Sequence, residues 1–140
     1  MRQLPRLTIK ETILFFKLHY GTEDPFAVAD MIDLEYEWEN LPDKLPGRTT
    51  YILGNPVIML NRNIRWSPQR YAVMAHEFGH VLLHGGVATW YHQAGVDSKL
   101  EAEADNFSLA ILAALYQEQF ERLPETLEDL KHAYGFEPAI

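Results

Sequence analysis

The stretch His76-Glu77-Phe78-Gly79-His80 combines residue types and a spacing that can do chemistry. Histidines four apart on an α-helix are about 40° from eclipsed, so both imidazoles can reach one ion on the same face. Glu77 points in a neighbouring direction, where it can take a proton from a water polarised by that ion. Zinc suits nitrogen donors of this kind and lowers the pKa of its water towards about 7. The competing reading is a pair of core histidines hydrogen-bonded to backbone. Two features weigh against it. The motif lies in an apolar helical run (Tyr71, Ala72, Val73, Ala75, Val81, Leu82, Leu83), and Gly79 in mid-helix costs about 1 kcal/mol relative to Ala, a local rule broken for packing or access.

A catalytic zinc needs a third protein ligand and an open fourth position. The chain has no cysteine, so that ligand must be His or carboxylate. A histidine ten residues after His76 would make a metzincin-type site, but Gly86 stands there. His84 is four residues beyond His80, roughly 80° around the helix from His76, and suits a helix C-terminus or an outer-sphere partner better than a ligand. In the next helix Glu103 shares a stripe with Phe107, Ala110 and Ala114, and a carboxylate on an apolar face is costly unless paired or metal-bound. The spacing therefore favours Glu103, with a salt bridge to Arg65 or Arg70 as the alternative. Glu101 shares its face with Asp105 and Ser108 and stands where a capping-box partner of Ser98 belongs.

The elements that must position these residues follow from pattern and punctuation. Thr8 caps a helix to about Tyr20, with Glu11 three residues on; Asp24-Pro25 opens a short helix to about Met31. Ile32–Trp38 alternates apolar and acidic residues, as a half-buried strand does. Thr49–Leu53 and Val57–Leu60 flank Gly54-Asn55-Pro56 as a hairpin, and the proline suggests that the second strand lies at an edge. Ser67-Pro68 opens the helix carrying the histidines, which Gly85-Gly86 stops. Ser98 begins another to about Arg122, and a last helix spans about Glu125–Tyr134. The expected class is α+β, with a small antiparallel sheet and a helical second half.

Its 140 residues fit a single domain, 1–140, large enough for a real core. A net charge of −8 argues against direct nucleic-acid binding, which wants a basic face. The longest apolar run near the N-terminus, Ile13–Phe16, is too short for a signal-peptide core or a membrane span, so a cytoplasmic protein is expected, without a membrane partner.

The run from His76 to His84, followed by Glu103-Ala104-Asp105-Asn106-Phe107, resembles the ImmA/IrrE family of small zinc metallopeptidases, which accompany phages, integrative elements or stress regulons. The resemblance extends over roughly Pro25 to Gly135. It implies a zincin-like domain in which His76, His80 and Glu103 bind Zn2+, Glu77 is the general base, and Asp105 orients a ligand. Ser108 replaces the family's usual Ala, and Ala113-Ala114-Leu115 stands where a Leu-Met-Pro-like helix end is usual; both bear on substrate fit more than on metal binding. The chain stops soon after Gly135, where longer relatives continue, so a self-contained sensor is not expected. The implied substrate is a helix-turn-helix repressor of a mobile element, cut or inactivated by an endopeptidase. A non-catalytic anti-repressor with a structural or vestigial metal site is the alternative. Tyr91 and His92, between the two ligand helices, are candidate oxyanion donors, with plain surface residues as the competing reading.

Overall fold

The computed structural model describes residues 7–85 and 97–136. Helix α1 (Ile9–Tyr20) begins at a capping box between Thr8 and Glu11 and ends at Gly21, whose φ of 73° closes the last turn. Helix α2 (Pro25–Met31) starts with Asp24 accepting from the Phe26 amide. Both starts lie where the capping residues place them.

Three strands follow: β1 (Glu35–Glu39), β2 (Gly47–Ile52) and β3 (Asn55–Asn61). The sheet order is β1-β3-β2. β2 and β3 form the expected hairpin, turning through Leu53 and Gly54, both at positive φ. β1, however, runs parallel to β3, so the sheet is mixed and not purely antiparallel. Val57–Leu60 also lies in the central strand, not at an edge. Pro56 is tolerated there because pairing with β1 starts only at Val57, so its missing N–H removes no bond from that ladder. The return from β1 to β2 is held by Asn61, whose side-chain amide donates to the carbonyls of Leu41, Pro42 and Leu45.

A single 3-10 turn (Arg62–Ile64) leads to helix α3 (Gln69–His84), then come α4 (Asp97–Phe120) and α5 (Leu127–Tyr134). The class is α+β. Helix α3 is shared by two apolar clusters. One packs Met74 and Phe78 with Phe16, Ile32, Ile58 and Leu60 beneath the sheet; the other joins Ala72 to Leu112, Leu115, Leu130 and Tyr134. Each large side chain so buried contributes about 1.5–3 kcal/mol, so α3 is fixed from both sides. No described helix is long and apolar enough to cross a membrane.

Candidate metal centre

The Ser67 hydroxyl accepts from the Gln69 amide and starts α3. The helix then carries His76, Glu77 and His80 past the edge strand β2 on one side and α4 on the other. Two glycines permit these approaches. A Cβ on Gly79 would stand 2.9 Å from Phe107 Cδ1, so α4 packs directly on the α3 backbone. A Cβ on Gly47 would stand 2.7 Å from Val73 Cγ1, so β2 comes equally close. Tyr51 ties the far end of β2 to α3 by donating its hydroxyl proton to the Gly85 carbonyl.

This packing gathers the polar groups of three elements. His76 Nε2 lies 2.9 Å from Glu101 Oε2, and His80 Nε2 lies 2.9 Å from Glu101 Oε1. On the other side of its ring, His76 Nδ1 is 2.9 Å from Asp105 Oδ1. His80 Nδ1 is 3.0 Å from His84 Nδ1, and His84 Nε2 is 3.6 Å from Glu103 Oε1. Glu77 is buried and accepts from the Thr49 hydroxyl at 2.9 Å. His76, Glu77, His80, Glu101 and Asp105 all line a cleft of about 740 Å³ that opens between β2 and α4.

The charges of this cluster follow from those contacts. Burial works against the His76 cation, but the hydrogen bond to Glu101 and the charges of Glu77, Glu101 and Asp105 outweigh it and raise its pKa. Hydrogen bonds from His76 and His80 hold the Glu101 carboxyl well below the usual carboxylate range despite partial burial. Burial, reinforced by neighbouring His80, lowers His84, with Glu103 pulling the other way.

The structure thus brings Glu101, not Glu103, between the two histidines. Glu103 points instead to His84, its side chain 45% exposed. The expected third ligand is corrected for a reason visible in α4. The helix is already formed at Asp97, one residue before the expected start, so Ser98 lies within its first turn and does not cap it. The buried stripe runs through Ala104, Phe107, Ser108, Ile111, Leu112 and Leu115, and Glu101 and Asp105 continue it to the cleft. Ser108 is fully buried, its hydroxyl 3.4 Å from the Ala72 carbonyl. Two polar residues, Asp105 and Ser108, lie on the inward face beside Glu101, and the capping-box spacing from Ser98 gave Glu101 a different role. The signal that could have found Glu101 is the i, i+4 pair with Asp105, which sets two carboxylates one turn apart. His84 offers no donor to the His76–His80–Glu101 group; its ring nitrogens face His80 and Glu103. Tyr91 and His92 lie outside the described residues.

His76, His80 and Glu101 can each offer one donor atom, and these atoms lie within 4.8 Å of one another. Two imidazole nitrogens and a carboxylate oxygen, open on one side to a cleft, are a donor set that zinc accepts with one coordination position left over. Residues 34–138 match the family model described as the IrrE N-terminal-like domain, Peptidase_M78. The chain belongs to the Peptidase_M78 family. It is also 28% identical over 131 residues to "Uncharacterized immunity region protein 2" of Bacillus phage phi105, across 90% of this chain and 82% of that protein. No solved structure matches the chain. Membership makes it metallopeptidase-type, and its histidine pair lies within the matched region.

Proposed function

We propose that this Peptidase_M78 member is a zinc-dependent endopeptidase of the cytoplasm that cleaves, and so inactivates, a helix-turn-helix repressor of a phage or integrative element. Glu77 carries the reading. It is a buried carboxylate outside the donor group, facing the same cleft one residue from His76 and held by Thr49. A purely structural metal site has no use for such a group.

Zinc held by His76, His80 and Glu101 would supply a Lewis acid that polarises the peptide carbonyl and its attacking water. The chain supplies the rest. Glu77 takes the proton from the water and returns it to the leaving amine, a step in which a positioned base contributes about 10²–10⁴-fold. Asp105 accepts from His76 Nδ1, fixing the ring so that Nε2 faces the donor group. The Thr49 hydroxyl orients the Glu77 carboxylate. Among the described residues β2 pairs only with β3, so its other edge offers the cleft a backbone on which an extended peptide can be laid by strand addition. Val57–Leu60, interior to the sheet, cannot play that part.

The repressor as substrate is supported by the phage relative, whose name places it in an immunity region. A second reading, an anti-repressor that binds without cutting, draws on the span Glu23–Asp43, which holds eight acidic residues and no Lys or Arg and would suit a basic partner. One variant separates the two. Glu77→Gln is expected to bind zinc as the wild type does, while losing cleavage of the cognate repressor. Full derepression by Glu77→Gln would overturn the peptidase reading and favour the binding one.

A further inference from the structure

The two histidines of the centre are backed differently. Behind His76 stands a carboxylate, Asp105, at 2.9 Å. Behind His80 stands another imidazole, His84, with Nδ1 facing Nδ1 at 3.0 Å, and both side chains are almost wholly buried. Beyond His84 comes the partly exposed Glu103, 3.6 Å from its Nε2. That gap exceeds hydrogen-bond length but is within ion-pair reach of the carboxylate.

We propose that Glu103 and His84 form a proton-ordered relay that positions His80 for metal binding. The inference rests on the reading of His76, His80 and Glu101 as ligands, and the atoms then leave one arrangement. If His80 gives Nε2 to the metal, its proton must sit on Nδ1. His80 Nδ1–H then donates to His84 Nδ1, which has to be bare. A neutral His84 therefore carries its proton on Nε2, the atom that faces Glu103 Oε1 across the 3.6 Å gap. The Glu103 carboxylate, facing Nε2, favours the proton at that position. Each ring is fixed in tautomer and tilt by the next group outwards, as carboxylates do for histidine ligands generally. Glu103 is thereby a positioning residue two groups removed from the metal, and His84 a positioning residue one group removed. The helical spacing makes this possible: His80 and His84 are one turn apart on α3, and Glu103 faces them from the first turns of α4.

The test uses the full chain and Zn2+ alone, so it needs no substrate. In 15N spectra of the zinc-loaded protein, His80 is expected with Nδ1 protonated and His84 with Nε2 protonated. Competition titration should show His84→Leu binding Zn2+ about 10–100-fold more weakly. His84→Asn, whose amide oxygen stands near the place of Nδ1 and can accept from His80 Nδ1, should recover most of that loss. Glu103→Leu should weaken binding by up to about tenfold and shift population away from the Nε2–H form of His84. Each variant is also unfolded thermally without metal, and affinities are compared only between variants that keep a cooperative transition; the tautomer read by 15N separates the relay from a packing role. A His84 protonated on Nδ1 in the zinc-loaded wild type overturns the relay, as do His84→Leu and Glu103→Leu variants with wild-type affinity. A wild type that binds no zinc overturns the metal centre itself, a separate failure.

Discussion

α3 and α4 build one site between them, yet they hold their chemistry in opposite ways. α3 displays it: two histidines and a glutamate within five residues of a helix that is otherwise apolar. α4 conceals it. Its buried stripe contains Asp105 and Ser108, and its ligand-facing carboxylate, Glu101, lies in the first turns where acidic residues usually serve the helix dipole. The difference teaches that a candidate metal-binding helix is legible when its donors sit close together in sequence. A helix that contributes one donor and one supporting carboxylate is legible only after its register against the first is known.

Removing what each helix contributes tests the division of labour. The largest effect is expected on the α3 side, where Glu77→Gln should lower cleavage by about 10²–10⁴-fold with zinc still bound, read by steady-state proteolysis of the proposed repressor substrate. On the α4 side, Asp105→Ala should leave zinc stoichiometry intact and weaken affinity about 10–100-fold, read by competition titration. Equal affinity would mean that Asp105 supports only the fold.

The contact between the two helices is the next term. Gly79→Ala puts a methyl group 2.9 Å from Phe107 Cδ1, inside a core that cannot shift freely. Overpacking of this kind costs about 1–3 kcal/mol, which outweighs the roughly 1 kcal/mol gained from helix propensity. Denaturant unfolding should therefore show a net loss of stability. An increase would mean that α4 is free to move away.

The smallest effect lies at the far end of α4, where Glu118 accepts from the Glu23 amide and the Thr22 hydroxyl. Burial of Glu23, with the charge of Glu118 beside it, raises its pKa to about 7, against a counter-pull from Lys17. A raised carboxyl favours the protonated fold. Its contribution is complete below the ordinary value of 4.5 and is lost as pH rises to about 7. Thermal unfolding at pH 5 and pH 8 should show this loss in the wild type and a smaller one in Glu23→Gln. The same slope in both would clear Glu23 of the effect.

The helices were legible where capping chemistry is local: Thr8 with Glu11 and Asp24 before Pro25 lie where the structure has them. α3 starts one residue later than Ser67-Pro68 implies, with Pro68 at its N-cap and the Ser67 hydroxyl accepting from the Gln69 amide. The hairpin was legible through its turn, though not the parallel partner of β3. A strand's own residues do not say which neighbour lies on its second side, and Pro56 pointed to an edge that the short β1 ladder makes unnecessary. At the candidate site, the placing of His76, Glu77 and His80 on one cleft could be read from spacing alone. The choice between Glu101 and Glu103 could not, because the two lie about 200° apart on α4 and only the packing of Gly79 against Phe107 fixes which one faces α3.

That choice is also the most direct test of the centre as a whole. Zinc titrations of Glu101→Ala and Glu103→Ala should differ sharply. Glu101→Ala is predicted to lose stoichiometric binding, while Glu103→Ala keeps one zinc per chain with affinity weakened by no more than about tenfold. Stoichiometric zinc at wild-type affinity in Glu101→Ala, with loss in Glu103→Ala, would contradict the account.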